Sequence, residues 1–429
     1  MPLQAKRWEV YPPLPDSFRA RFPHLSPLVL QILYNRGITD PAEVETFLGG
    51  RLALDNPFRL KGMNEAVTRI RCAIQRNEPM AVYGDFDADG VTATVLLVQT
   101  LEALGARVQP YIPHRVDEGY GLHTEALTKL AHQGVRLVIT VDCGIRSVDE
   151  ITQARRLGLD VIVTDHHSVG AELPPALAAI NPKREDCPYP FKDLAGVGVA
   201  FKLAQALLRV ANATRRRSDP PIPLREEELL DLVAIGTVAD VVPLLGENRY
   251  LVRRGLERLN TPTPHLTSPR KRGEEWREVR PGLRALMQKA GLRPGGVNAW
   301  AIGFLLGPRL NAAGRLDTAM FSYKLLRADD EAEAAELAQK LDELNRRRQQ
   351  LTLETLERAR AQIEEEGEAF LHLVAGKDIL AGIAGLVASR LTEELYRPTV
   401  VVEWGEAVSY THLRAHETRH DLVCRLLLE

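Results

Sequence analysis

The segment 81-AVYGDFDADGVTATVLL-97 constrains this chain more than any other. An apolar run leads in, Asp85, Asp87 and Asp89 alternate up to Gly90, and a helix-forming run leads out. An EF-hand calcium loop also begins D-x-D-x-D-G, but it needs a glutamate at its twelfth position and a helix on each side. Counting from Asp85, the twelfth residue is Leu96. The flanks predict a short buried strand over Met80–Tyr83 and an amphipathic helix over Val91–Leu104. The loop is therefore a strand–turn–helix connection with acids at the carboxyl end of a strand, where open α/β sheets place their ligands.

The pattern continues downstream. Val108–Ile112, Leu137–Val141 and Val161–Thr164 read as further strands, with helices at Thr124–His132 and Val148–Arg156 between them. Short buried strands interleaved with helices imply an α/β fold with a parallel, helix-flanked sheet. Residues 1–60 read as a helical lead-in with short helices over Leu28–Tyr34 and Pro41–Phe47, and 61–327 as the core domain. Within the core, Val199–Val210, Glu226–Ile235 and Arg249–Leu259 are helical, and the proline- and charge-rich stretch 261–281 is expected to be an exposed loop. A long, charged connecting helix over 328–366 leads to a second, smaller, incomplete α/β unit over 367–408, with strands at Phe370–Val374 and Thr399–Val402.

Acids recur at the ends of these elements. Asp142 closes the third strand in VDCGI, Asp165-His166-His167 close the fourth in VTDHH, and Asp240 sits in the apolar IGTVADVVPL. One strand-end aspartate is ordinarily a helix N-cap. Several at one edge of a parallel sheet bring carboxylates and imidazoles into one crevice, where burial is costly unless the charges are paired or metal-bound. Oxygen-rich ligation with histidine suits Mn²⁺ or Mg²⁺. Two such ions can activate water and stabilise both oxygens of a phosphoryl transfer, which points to a two-metal phosphohydrolase. Arginine forks suit phosphate oxygens. Arg115 beside His114, Arg309 with Asn311 and Arg315 in the glycine-rich turn GPRLNAAGRLD, and Ser389 with Arg390 in VASRL are candidates, each also a plausible surface ion-pair partner. The RRR runs at Arg215–Arg217 and Arg346–Arg348 read as solvated faces.

Composition closes off other classes. In 429 residues there is no apolar run of membrane-spanning length, and MPLQAKRWEVYPPLP lacks the apolar stretch of a signal peptide, so a cytoplasmic location without membrane attachment is expected. Cys72, Cys143, Cys187 and Cys424 are scattered and read as reduced thiols. A net charge of −2 leaves any nucleic-acid binding to local basic patches.

GDFDADG, VDCGI, TDHH and GTVADVVPL, in this order, resemble the four motifs of the DHH phosphoesterase superfamily. LYNRGI, NPFRLKGM, YIPHRVDEGYGL, NPKREDCPYPFKDLAGVGVAFKLAQAL and GPRLNAAGRLDTA extend the similarity to its bacterial single-strand-specific DNA exonucleases, over roughly residues 8–407. The resemblance implies 5′→3′ hydrolysis of single-stranded DNA in repair and recombination, with two divalent ions, Mn²⁺ or Mg²⁺. It implies Asp85, Asp87, Asp89, Asp142, His166 and Asp240 as metal residues, Asp142 bridging. Asp165, His166 and His167 would form the catalytic group, His167 on the scissile phosphate and Asp165 orienting a histidine. Arg115, Ser389 and Arg390 would bind a 5′-phosphate, and Arg309 and Asn311 would face the strand. A single-strand-binding protein and a helicase are the implied partners. A short-oligonucleotide phosphodiesterase and a non-catalytic replication scaffold of the same superfamily are the alternatives. Two departures stand out: KDILAGIAGLVASRL lacks a Trp-His pair common in these exonucleases, and no GGH…AAG motif follows VVVEWGEA. The final stretch 409–429, with His412, His416 and His420 four apart, breaks the pattern and is expected to be a non-native tail without function.

Overall fold

A computed structural model describes residues 10–404 and 409–414, apart from 261–278 and the single positions 51, 53, 116, 217, 219, 294 and 368. Three short helices, α1 (Asp16–Ala20), α2 (Pro27–Asn35) and α3 (Pro41–Leu48), close over a small core of Phe18, Phe22, Leu30, Leu33, Ile38 and Val44. Helix α4 (Met63–Gln75) then leads into β1 (Met80–Gly84), α5 (Ala88–Ala103), β2 (Val108–Tyr111), α6 (Thr124–His132), β3 (Leu137–Val141), α7 (Val148–Arg156), β4 (Asp160–Thr164) and β5 (Ala178–Ile180). The five strands pair in parallel in the order β2-β1-β3-β4-β5. Successive side chains go to opposite faces. Val82, Ile139 and Ile162 pack under α4, α5 and α8 (Gly196–Thr214), whereas Tyr83, Val138 and Val163 pack under α6 and α7.

This strand order has its switch point between β1 and β3, where the chain leaves β1 toward opposite sides of the sheet. Gly84 lies opposite Val141, and Val141 opposite Thr164, so the three strands end level. Asp85, Asp142 and Asp165 therefore leave the sheet side by side.

The chain continues through α9 (Leu230–Ala239), α10 (Gly246–Asn260), α11 (Pro281–Lys289), α12 (Ala299–Ala301), a π-helical turn (Ile302–Leu306), α13 (Gly307–Leu316), α14 (Met320–Arg327) and α15 (Glu331–Glu366). A second sheet follows: β6 (His372–Gly376) pairs in parallel with β7 (Thr399–Trp404), and β7 pairs antiparallel with β8 (Ser409–Arg414), with α16 (Ala381–Leu395) packed on them.

Several expectations need correction. Helix α5 is buried all round, not amphipathic, because it runs between the sheet and helices α8 and α9. GPRLNAAGRLD is helix α13, not a turn; its glycines serve close packing, and a Cβ on Gly314 would stand 2.6 Å from the Phe86 carbonyl oxygen. Asp240 comes to the crevice from the C-terminus of helix α9, which it caps, and not from the sheet edge. Of 261–281, residues 261–278 lie outside the described residues, but Val279 is buried and Arg280 binds the buried Asp231 at 2.8 Å, so this end is anchored. Residues 409–414 form edge strand β8; His416 and His420 lie outside the described residues, as does Cys424. Cys72, Cys143 and Cys187 are free thiols. Among the described residues no helix is long and apolar enough to cross a membrane.

One buried ion pair ties the lead-in to the core. The Lys202 ammonium on α8 lies 2.9 Å from Glu247 on α10, both buried. Glu247 also accepts from the Tyr189 hydroxyl at 2.7 Å and the Asp55 backbone N–H at 2.8 Å. Burial holds the Lys202 ammonium below its ordinary pKa, although Glu247 opposes that shift. Removing one partner of such a pair strands a buried charge, at about 3–5 kcal/mol. Lys202→Met should lower the unfolding free energy in urea by that amount, and adding Glu247→Gln should restore part of it. A single-variant loss below about 1 kcal/mol would show that Glu247 is not stranded.

Candidate metal centre

The acidic loop after β1 is held by its own backbone demands. Asp87 is the N-cap of α5, its Oδ1 accepting from Asp89 N–H at 2.9 Å and Gly90 N–H at 3.0 Å. The ordinary reading of a strand-end aspartate therefore holds for Asp87, although its carboxylate also faces Asp85 and Asp142. Gly90 is required: a Cβ there would stand 2.6 Å from the Asp85 carbonyl oxygen. Asp89 turns inward, and the first backbone amides of α8 meet it. Gly196 N–H donates to Oδ2 at 2.7 Å and Val197 N–H to Oδ1 at 2.8 Å. A helix N-terminus is a natural anion site, and here the anion belongs to the protein.

Asp142 follows β3 with φ +63°, a left-handed conformation that aspartate tolerates. Gly196 lets α8 approach it, since a Cβ there would lie 2.4 Å from Asp142 Oδ1. His166 Nε2 stands 3.1 Å from Asp142 Oδ1 and 3.6 Å from Asp240 Oδ2. Two clusters with no shared residue result: Asp85, Asp87 and Asp142, and Asp89, His166 and Asp240, each with ligand atoms within 4.8 Å of one another. Asp142, His166 and His167 make a third grouping that joins them.

Electrostatics matches the geometry. Burial, then neighbouring carboxylates, push Asp85, Asp89 and Asp142 well above the usual carboxylate range. Asp240 is raised to about 7, by burial and by Asp87. His166 is pushed down to about 4, above all by burial. Asp165 goes the other way: burial alone would raise it, but its bonds to His167 hold it low. Its Oδ1 lies 2.8 Å from His167 Nδ1 and accepts from His166 N–H at 2.7 Å, while Oδ2 accepts from Ile145 N–H at 2.9 Å. Against its own burial, His167 is thereby raised.

The remaining predicted residues divide. The Arg115 guanidinium lies 4.6 Å over the Phe86 ring, and its charge reaches Asp85. His114 instead pairs with Asp117 at 2.9 Å. Asn311 faces the loop but is engaged: its Oδ1 accepts from Ala88 N–H at 2.7 Å, tying α13 to the start of α5. Arg309 pairs with the buried Asp342 of α15 at 3.0 Å. Ser389 and Arg390 lie on α16, where Arg390 is exposed and near enough to Arg348 for its charge to lower that guanidinium, after burial.

Sequence reasoning overlooked Tyr120, Asn181 and Lys183. The Tyr120 hydroxyl lies 3.2 Å from His167 Nδ1, and its ring meets Phe86 edge-on. Buried Asn181 donates to the His167 carbonyl at 2.9 Å and accepts from Lys183 N–H at 2.8 Å. Lys183 sits in a cavity of about 660 Å³ that opens beside Ser168, and its charge reaches both His166 and Asp240. Each is a single loop residue with no spacing signal. Only the run NPK after a short strand could have drawn attention to the last two.

The DHH family N-terminal domain matches residues 79–237, the stretch that carries most of this cluster. The single-stranded-DNA-specific exonuclease RecJ of Bacillus subtilis (strain 168) is 42% identical over 400 residues, which cover 92% of this chain and 47% of the relative. The chain thus spans about half the length of that relative. A crystal structure of exonuclease RecJ bound to manganese superposes with a TM-score of 0.71 at 36% identity, over 86% of this chain and 85% of that one. RecJ from Thermus thermophilus, in complex with Mn²⁺, gives a TM-score of 0.77 at 33% identity, over 96% of this chain and 55% of that one. With its acids and paired histidines at the switch point of the sheet, and with this likeness along most of its length, the chain belongs to the RecJ family of DHH proteins.

Proposed function

We propose that this chain is a metal-dependent hydrolase that removes nucleotides from the 5′ end of single-stranded DNA. The observation that carries this reading is a crevice of buried polar atoms facing one another: Asp85 Oδ1 has no hydrogen-bond partner, and Asp142 Oδ1 and His166 Nε2 stand 3.1 Å apart without an aligned hydrogen bond. Such atoms are costly to bury unless something binds them. Carboxylate oxygens and a neutral imidazole are the donor set for Mn²⁺ or Mg²⁺. The residues therefore fit the ions named for the related structures. Asp85, Asp87 and Asp142 would hold one ion, and Asp89, His166 and Asp240 a second, with Asp142 between them. When bound, such ions supply an activated water and offset charge on the phosphoryl oxygens.

The side chains do the rest. His166, held uncharged, offers a ring nitrogen as a ligand without first losing a proton. His167 donates its Nδ1–H hydrogen bond to the Asp165 carboxylate, which leaves Nε2 to carry a proton toward a phosphate oxygen as charge grows there. The Tyr120 hydroxyl lies against the same edge of the ring, 3.2 Å from Nδ1. Arg115, packed on Phe86 with its charge felt at Asp85, would meet a terminal phosphate, and Ser389 and Arg390 of α16 would complete that pocket. Asn311 and Arg309 act by positioning the acidic loop and α13. The division into a lead-in over 1–60, a core over 61–327, a connecting helix over 328–366 and a second unit over 367–408 belongs to the same reading, as does cytoplasmic work beside a helicase and a single-strand-binding protein.

The deciding experiment uses purified chain with Mn²⁺ on a 5′-labelled single strand and on its duplex. Labelled mononucleotide should come from the single strand only, and Asp142→Ala should abolish it. Release from dinucleotides but not from long strands would favour the short-oligonucleotide phosphodiesterase. A metal-binding chain that spares both would end the hydrolase reading.

The pH dependence is a separate prediction. The Asp240 carboxyl is raised above its unfolded value, so its contribution to stability is complete below about pH 4 and lost as pH rises through 7. His166 acts oppositely below about pH 6.5, since only the unfolded chain protonates it there. In EDTA, the melting temperature should therefore fall as pH rises from about 6.5 through about 7, where Asp240 ionises. Mn²⁺ should reverse this trend, because metal and proton compete for the same carboxylates. A melting temperature that rises with pH in EDTA would show that the carboxylates are not held protonated.

A further inference from the structure

Helix α12, the π-helical turn and α13 form one continuous rod, and its N-terminal part carries an exposed aromatic pair. Trp300 and Phe304 are 59% and 67% exposed, with rings stacked at 5.6 Å and 23°. Large aromatics normally bury their area, so an exposed stacked pair calls for an occupant. The rod runs along the candidate metal centre. A Cβ on Gly307 would lie 3.3 Å from Ala239, the residue before Asp240, and one on Gly303 would lie 3.9 Å from Val238. Asn311 holds the acidic loop at Ala88, and Phe304 precedes it by two turns, about 10 Å along the axis. Phe304 itself lies in the π-helical turn, a feature frequent at functional sites. Next to Asp240, Val241 is 85% exposed at φ +62°, a conformation strongly disfavoured for a β-branched residue.

We propose that Trp300 and Phe304 are a base-stacking platform for the single strand whose backbone lies at the carboxylates. This rests on the exonuclease reading above. Aromatic faces accept any base, which suits an enzyme that must pass every sequence. Two rings and one valine fall well short of the roughly 800 Å² per partner of a stable protein interface, which disfavours a second copy of the chain as the occupant.

The test compares kcat/KM on 5′-phosphorylated oligodeoxythymidylates from about 3 to about 15 nucleotides, for the full chain and its Trp300→Ala/Phe304→Ala variant. With the unaltered chain, kcat/KM should climb once strands reach the pair. The variant should lose that climb, roughly tenfold per stacked base, and match on the shortest strands. Abasic positions in the strand should mimic the variant. An unchanged length dependence, an equal loss at every length, or dissociation of a dimer on substitution would overturn the platform. A binding arm separates this from the exonuclease reading: Asp142→Ala protein with Trp8, Trp276 and Trp404 changed to Phe keeps Trp300 as its one tryptophan. Quenching of Trp300 by oligodeoxythymidylate, with no strand cut by the unaltered chain, would keep the platform and remove the nuclease. Cleavage without quenching would do the reverse.

Discussion

Mutual repulsion among buried carboxylates governs this structure. Asp85, Asp89 and Asp142 are almost wholly removed from water, and Asp87 and Asp240 face them. Burial of even one unpaired carboxylate is expensive, and like charges a few ångströms apart cannot all ionise. The fold meets this with backbone rather than with salt bridges. The α8 amides take Asp89, and the α5 amides take Asp87. Glycines at 90 and 196 permit those approaches. Lys183 is a cation that sequence analysis overlooked, and it acts from the rim without forming a pair with the acids.

The adjacent histidines show how one aspartate can separate two identical side chains. Asp165 accepts from both of their backbone amides, but only His167 offers it a ring nitrogen. His166 points instead into the acids and loses its proton affinity to burial. His167, partly exposed and bonded to a carboxylate, gains proton affinity. The division follows from backbone direction at the end of β4, where neighbouring side chains leave on opposite faces.

What could be read from the sequence depended on how far a signal was local. β3 was legible to the residue because Leu137–Val141 is an unbroken β-branched and apolar run. The long helix was legible because charge and helix propensity agree over its length, with Asp330 as its N-cap. α5 was misread as amphipathic because its small polar residues, Thr92, Thr94 and Thr100, return their hydroxyls to backbone carbonyls and so bury like apolar ones. α13 was misread as a turn because glycine marks both turns and close helix packing, and one chain does not distinguish them. The engagement of Arg309 with Asp342 was invisible because its partner lies 33 positions away on another element.

The contact between α13 and α16 has a mechanical consequence. Gly382 sits so tightly on Arg315 that a Cβ there would fall 1.9 Å from the Arg315 carbonyl oxygen, and Arg315 returns a hydrogen bond of 3.0 Å to the Gly382 carbonyl. One residue earlier, Gly314 rests on Phe86 inside the acidic loop. The second sheet is thus geared to the carboxylates through two abutting glycines. A side chain larger than glycine at either position would have to part α16 from α13 or α13 from Phe86, which is flanked by Asp85 and Asp87.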